Sequence, residues 1–436
     1  MKVKKFGGTS VGSADRIKNV GRLIAGDGRN IVVLSAMSGT TNALLDISGA
    51  LADGDKTLAL KRIGDLEEKY SEVTASLFDT EKYRKKASEL VGGIFSCLRG
   101  LVNEEYSIKL EKRIVSYGEL ISTNLMNFHL HEVGVDSCLL SALEFMKIDR
   151  HGEPDMEYAA EKLALLMGPE PDADLYITQG FICRNEKGEI DNLQRGGSDY
   201  TASLIGAAIG ADEIEIWTDI DGMHNNDPRF VEDTRPVHNL HFEEAAELAY
   251  FGAKILHPTC ILPARMHNVP VRLLNTLDPS AEGTLIENKM CGNAIKAVAA
   301  KDNITAIKIK SGRMLLAYGF LKKVFEIFEK YETSIDMITT SEVGVSLTID
   351  NERNLEPIVE ELSRLGFVTI DRDMVIVCVV GDLEWKNRGF EAKALEALCN
   401  VPVRMISYGG SNYNISFLIR KEDKVRALRM LSYHLF

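Results

Sequence analysis

The chain has 436 residues, 45% hydrophobic and 26% charged, a composition ordinary for globular protein but too long for a single core, so two or three domains are expected. Its formal net charge of -13 at pH 7 argues against a broad nucleic-acid or anionic-membrane surface, while leaving room for a local basic pocket that takes a phosphorylated ligand. The seven cysteines are scattered, odd in number and never spaced as C-x-x-C, so neither a disulfide framework nor a zinc site is indicated.

The first stretch is Val3-Lys4-Lys5-Phe6-Gly7-Gly8-Thr9-Ser10-Val11-Gly12, an apolar and basic run that breaks into paired glycines before a helix predicted over 14–23. A strand feeding a glycine-rich turn at a helix start suits an anion. The glycines let backbone N–H groups come close, the helix N-terminus adds partial positive charge, and Lys5 can neutralise phosphate oxygens. A tight turn that needs two glycines is the plainer reading. The stretch is neither a Walker loop nor a G-x-G-x-x-G fingerprint, so the other parts of a phosphate site must come from elsewhere.

Residues 30–34 are all apolar save the first, the pattern of a strand buried on both faces of a parallel sheet, and Ser35 to Thr41 follow at its C-terminal end. Open α/β sheets bind ligands there, although Ser and Thr also cap helices. Residues 55–117 read as a helical layer ending in Ser116-Tyr117-Gly118-Glu119-Leu120, with Glu119 expected as an acidic residue at the start of a helix over 121–130. Strands follow over 135–140 and 174–178. Next, Arg195-Gly196-Gly197-Ser198-Asp199 opens a helix of small residues, a second anion-friendly turn carrying opposite charges, with an Asp-capped helix and a solvated Arg as the alternative. A strand over 213–219 delivers Thr218 and Asp219, and the turn-rich loop after it holds His224 and Asp227-Pro228-Arg229, where Arg229 can grip phosphate bidentately. Lys254 stands at a further break, followed by His257, read as structural or capping. His238 and His241 lack the partners a metal site needs, and no metal ligand is named.

From about residue 294 short β-branched strands alternate with amphipathic helices, and the pattern of 335–349 is echoed by 403–419 with a helix before and after each copy. This is an internal repeat of a βαββαβ unit, expected to be regulatory. The N-terminus enters the Lys5 loop without an apolar h-region, and no apolar run approaches the eighteen or so residues of a membrane span. A cytoplasmic protein without a nucleic-acid or membrane partner is expected.

These residues resemble the aspartate kinases of the amino acid kinase superfamily over nearly the whole chain. The resemblance rests on Lys5-Phe6-Gly7-Gly8-Thr9-Ser10, Arg195-Gly196-Gly197-Ser198-Asp199-Tyr200, Trp217-Thr218-Asp219 with Asp227-Pro228-Arg229, and Phe251-Gly252-Ala253-Lys254-Ile255-Leu256-His257-Pro258. It implies an α/β fold, a mainly parallel sheet sandwiched by helices over 1–290. A C-terminal pair of ferredoxin-like ACT domains is implied over 291–436, the first (about 305–375) inserted in the second (about 291–304 plus 376–436). The implied reaction is ATP-dependent phosphorylation of the L-aspartate β-carboxylate, with Mg2+ arriving on ATP. Lys5 is then expected at the β/γ-phosphates with Gly7 and Gly8 as donors; Arg229 and Lys254 hold phosphates, and Thr218, Asp219 and His224 lie near the nucleoside. His224 departs from the tyrosine common in the family. Aspartate would be held by Arg195 at the α-carboxylate, by Glu119 and Asp199 at the ammonium, and by Ser35, Thr41 and Ser198 at carboxylate oxygens, with Asp199 also organising Lys5. The regulatory half resembles the lysine-sensitive branch, implying an effector site of Met314, Gly319, Phe320, Leu321, Ser334, Asp336, Thr340, Ser341 and Glu342. It also implies a homodimer, or dimer of dimers, through the ACT domains. A kinase for glutamate or acetylglutamate and a non-catalytic amino-acid sensor are the competing readings, and no fused dehydrogenase is expected after the repeat.

Overall fold

The computed structural model describes residues 1–26, 28–168, 173–193, 196–252, 256–289, 295–312 and 318–436. They form two compact units, 1–222 with 256–288, and 223–255 with 289–436. The first runs β1 (Lys2–Phe6), α1 (Ala14–Ile24), β2 (Asn30–Leu34), α2 (Thr40–Ala52), α3 (Lys56–Leu77), α4 (Glu81–Leu101), α5 (Ile108–Glu132), β3 (Cys138–Leu140), α6 (Ala142–Phe145), α7 (Met156–Met167), β4 (Leu175–Gln179), β5 (Ile182–Arg184), β6 (Ile190–Asn192), α8 (Gly197–Ile209) and β7 (Glu213–Thr218). After β8 (Asn239–His241) and α9 (Phe242–Tyr250), which belong to the second unit, α10 (Pro258–Met266), β9 (Val271–Asn275) and β10 (Thr284–Glu287) return to the first.

The first unit is a sheet in the order β3-β4-β2-β1-β7-β9-β10, parallel except for β10. Every residue of β2 and β4 is buried, as a parallel sheet covered on both faces requires. Phe6 pairs with Leu34 on one side and Trp217 on the other, and Leu34 pairs with Gln179, so four strands end level. Phe6 and Trp217 stack at 5.6 Å. Buried Lys4 is tolerated because Glu215 lies 3.4 Å away, and that carboxylate also takes Lys2 and the Trp217 indole N–H.

Two local expectations change. The strand over 135–140 shortens to β3, and no helix starts at 121: α5 begins after Ser107, whose Oγ accepts the Leu110 N–H, and runs unbroken through Glu119. Gly118 is not a break. A Cβ there would lie 2.7 Å from Ala36 Cβ, so it is a contact glycine that lets α5 approach the loop after β2.

The second unit contains β11 (Ile295–Lys310), α11 (Phe320–Lys330), β12 (Ile338–Ser341), β13 (Gly344–Ile349), α12 (Leu355–Ser363), β14 (Phe367–Gly381), α13 (Phe390–Ala397), β15 (Val403–Tyr408), β16 (Asn414–Arg420) and α14 (Lys424–Leu435). Its antiparallel sheet runs β12-β13-β11-β14-β16-β15, with the long strands β11 and β14 shared by two halves. One core gathers Ile307, Val324, Leu347 and Ile358; the other gathers Val377, Phe417, Leu428 and Leu431. The expected boundary at 290 follows the chain, whereas packing groups 223–255 with the C-terminal half. Val231 enters the second core, Asn226 Nδ2 donates to Leu428 O at 3.0 Å, and Val298 N donates to Asn225 O at 2.8 Å.

Candidate active site

At the end of β1 the chain turns so tightly that a Cβ on Gly8 would lie 2.7 Å from Ala36 O, and Ser38 N donates to Gly8 O at 3.0 Å. Only glycine permits this approach. Lys5 Nζ comes 2.6 Å from Asp199 Oδ1, and both side chains are largely buried. Asp199 does not cap α8. The cap is Gly196 at φ +81, with no side-chain cap bond, so Asp199 stands free in the first turn to meet Lys5. Ser198 is buried behind it against Gly180, where any Cβ would collide with it. Beneath the turn, a Cβ on Gly196 would collide with Cys260 Sγ and lie 3.2 Å from His257 Cβ. His257 is the cap of α10, its Nδ1 accepting the Thr259 N–H at 3.4 Å.

The loop after β2 forms the facing wall. Ser35 N donates to Phe6 O, and Ser35 O accepts from Ser122 Oγ at 2.8 Å. The first residue before α2 is Gly39 at φ +79, again without a side-chain cap, so neither Ser35 nor Thr41 is spent on capping. Thr41 lies half-buried in the first turn. Glu119 reaches this loop from the middle of α5, 3% exposed, with Oε1 accepting the Ala36 N–H at 3.2 Å. Among the described residues its Oε2 is buried with no hydrogen-bond partner. Burial pushes its pKa up to about 8, against the opposing pull of the Ala36 N–H. A buried carboxylate with one oxygen unsatisfied is costly until a donor completes it, and an ammonium group is the donor that also restores its charge.

Thr218 follows Trp217 level with Gly7; its Oγ1 accepts the Asp219 N–H at 2.7 Å, and its carbonyl accepts the Thr276 N–H at 2.8 Å. Thr276 Oγ1 in turn lies 2.9 Å from Ser10 Oγ, tying the two turns together. Within the second unit, His224 Nδ1 lies 2.9 Å from Thr234 Oγ1, and Arg229 chelates Asp227 through Nε at 2.9 Å and Nη2 at 2.6 Å. Arg195, Lys254 and Met314 lie outside the described residues.

The candidate effector residues divide. Gly319 starts α11 at φ +81, Phe320 is buried in the first core, Leu321 and Ser334 are exposed, and Thr340, Ser341 and Glu342 form the exposed end of the β12–β13 hairpin. Asp336 precedes β12 and faces inward, its Oδ1 accepting from Lys301 Nζ at 2.7 Å and Tyr250 OH at 2.8 Å. Burial holds its pKa up despite the Lys301 ammonium.

Lys69 and Tyr70 escaped sequence reasoning. Consecutive on α3, they bond Ser38 O and Thr40 Oγ1, but they sit in a charged helical stretch that carries no motif. Gly180 was legible only as a glycine after a strand.

Residues 1–275 match the amino acid kinase family and residues 377–435 an ACT domain. Over 447 residues the chain is 36% identical to the lysine-sensitive aspartokinase 3 of Escherichia coli (strain K12), spanning 100% of this chain and 99% of that protein. It is similar to the crystal structure of E. coli aspartokinase III in complex with aspartate and ADP (R-state), with a TM-score of 0.83, 35% identity and 100% of both chains covered. Against the same enzyme in complex with lysine and aspartate (T-state) the TM-score is 0.82 at 35% identity, covering 100% and 99%.

Proposed function

This chain belongs to the amino acid kinase family, and we propose that it is an aspartate kinase. It transfers the γ-phosphoryl group of ATP to the β-carboxylate of L-aspartate, giving 4-phospho-L-aspartate, the acyl phosphate that begins lysine, threonine and methionine synthesis. The observation that carries this reading is the Lys5–Asp199 pair, 2.6 Å apart at a glycine-led helix start without a side-chain cap, in the same unit as the buried Glu119 carboxylate, which has one oxygen unsatisfied among the described residues.

The nucleophile needs no general base, because a carboxylate with a reference pKa of about 3.9 is already ionised at neutral pH. The barrier is electrostatic: two anions must approach in line, so positioning and charge neutralisation supply the catalysis. Lys5 neutralises the β/γ-phosphates, and Asp199 holds its ammonium in place before nucleotide arrives. Gly7 and Gly8 offer backbone N–H groups. Glu119 takes the substrate ammonium, and Ser35, Thr41 and Ser198 donate to carboxylate oxygens. Arg195 at the α-carboxylate, and Thr218, Asp219, His224, Arg229 and Lys254 toward the nucleotide, keep the roles the resemblance implies.

Magnesium would neutralise and orient the terminal phosphates. In this reading it travels on phosphate oxygens and water, and no protein ligand is assigned to it.

Regulation completes the proposal. L-Lysine is the effector, bound by the α11 start, Asp336 and the β12–β13 end in a homodimer, or dimer of dimers, joined through the ACT halves. Catalytic and regulatory regions divide near residue 290 in sequence. No helix among the described residues is long and apolar enough to cross a membrane, and we assign the enzyme to the cytoplasm.

The test is ATP-dependent hydroxamate formation from L-aspartate, L-glutamate and N-acetylglutamate in the presence of hydroxylamine. Product from L-aspartate alone is expected. No product above a Lys5→Ala control, or preference for another acid, overturns the proposal.

A further inference from the structure

We propose that Lys69 is a positioning residue for phosphoryl transfer, its ammonium clamping the Ser38 carbonyl and so fixing the Ser35–Thr41 loop against Gly8 and Glu119. The inference rests on the aspartate kinase reading, in which that loop binds substrate carboxylates.

Beside the Ser35 N–Phe6 O bond, four holds on the loop come from three elements, the turn after β1, α5 and α3. Ser38 N is bonded to Gly8 O at 3.0 Å, Ala36 N to Glu119 Oε1 at 3.2 Å, and Ser35 O to Ser122 Oγ at 2.8 Å. The fourth hold comes from α3, where Lys69 Nζ donates to Ser38 O at 2.8 Å and Tyr70 OH lies 2.9 Å from Thr40 Oγ1. Three of these contacts involve neutral or anionic partners already placed in the site. Lys69 brings a cation.

Its location is electrostatically odd. The ammonium lies against Gly39, 3.7 Å from where a Cβ would stand, at the N-terminal end of α2, where the helix dipole disfavours positive charge. Burial pulls its pKa down and no carboxylate offsets that pull, although Asp46, Arg62 and Asp65 line the same groove. A half-buried lysine in such a place contributes little by ion pairing. What it does is structural and local: it pins the carbonyl of the residue whose own N–H grips the phosphate turn. The tight contact of Gly118 with Ala36 fixes one end of the loop, while Gly39, at φ +79 and without a side-chain cap, leaves at the other end the backbone freedom that the clamp restrains. Lys69 therefore sets the distance between the donors for the substrate carboxylate and the turn that carries Gly7 and Gly8, without touching either reactant.

The test compares full-length wild type with Lys69→Met, Lys69→Arg and Tyr70→Phe. Lys69→Met is expected to lower kcat/KM for L-aspartate about 10- to 100-fold while KM for ATP changes by less than about twofold, because the misplaced loop faces the carboxylate. Lys69→Arg, which keeps the charge and the donor, should recover activity to within about threefold of wild type. A merely structural lysine would lower Tm and leave the ratio of the two KM values unchanged. Hydrogen–deuterium exchange gives a readout independent of turnover: amides in 36–43 should exchange faster in Lys69→Met and in Tyr70→Phe, with β9 and β10 unaffected. Unchanged exchange, or unchanged kinetics in Lys69→Met beside an active wild type, overturns the proposal. An inactive wild type whose loop still loosens in Lys69→Met supports the clamp and counts against the aspartate kinase reading alone.

Discussion

Replacing Glu119 by Gln removes the ionisable carboxyl group that burial keeps largely neutral in the free enzyme. Burial raises the Glu119 pKa from 4.5 to about 8, a difference equivalent to about 5 kcal/mol between its two protonation states. A raised folded pKa means that the contribution to stability is fully present below pH 4.5 and is lost at about 1.4 kcal/mol per pH unit as pH climbs toward 8. At pH 7 the free enzyme therefore holds Glu119 about nine-tenths protonated. Binding an ammonium requires the carboxylate, so each L-aspartate bound should expel close to one proton, and affinity should fall by up to about tenfold per pH unit below 8. The neighbouring Tyr70 is pushed well above its ordinary value by burial and stays protonated throughout. Calorimetric titration of L-aspartate at pH 7 in two buffers of different ionisation enthalpy measures the released proton directly. Glu119→Gln should abolish the release, weaken binding and flatten the pH dependence of stability between pH 5 and pH 8. A wild-type binding heat that is the same in both buffers, with KM for L-aspartate flat from pH 6 to pH 8, refutes the assignment of Glu119 to the ammonium.

Lys5→Met should lower kcat about 10²- to 10³-fold while the protein stays folded, since it deletes one preorganised cation from the transition state. A loss of less than about tenfold in steady-state kinetics would count against the role given to Lys5. Gly196→Ala forces a Cβ onto a residue at φ +81 and into Cys260 Sγ, a cost of about 1–3 kcal/mol in urea unfolding that Cys260→Ala in the same chain should partly relieve. Absence of any rescue would show that backbone strain alone is responsible. Asp336→Ala leaves the Tyr250 hydroxyl without its partner and Lys301 with Asp350 alone, which should cost about 1–3 kcal/mol and blunt inhibition by L-lysine. Titration of L-lysine, L-threonine and L-methionine against initial rate checks this, and inhibition by L-threonine alone contradicts the choice of effector.

Much of the fold is written locally. The apolar run of β2 and the glycine pairs after Phe6 and before Ser198 announce a buried parallel sheet with two anion-friendly turns, because strand burial, the close backbone approach at Gly8 and φ above zero at Gly196 leave marks in composition. Glu119 shows the limit. Gly118 beside it looks like a helix break in one dimension and turns out to be the place where α5 touches Ala36. The Lys5–Asp199 pair was open to inference only through the resemblance, since nothing periodic links the two residues. Lys69 was invisible for a simpler reason: its partner is a backbone carbonyl, which any residue presents. The grouping of 223–255 with the C-terminal half is equally silent, resting on Asn225, Asn226 and Val231 inside a turn-rich loop.

In the proposed reaction the substrate's own β-carboxylate attacks the γ-phosphorus. L-Aspartate carrying oxygen-18 in the β-carboxylate, incubated with enzyme, ATP and hydroxylamine, tests it directly by mass analysis of the phosphate released. Attack by the carboxylate forms a C–O–P bridge that hydroxylamine opens at carbon, so the phosphate should carry one oxygen-18 atom. Phosphate free of the label, released at the same rate, would mean that water is the acceptor and would contradict the account.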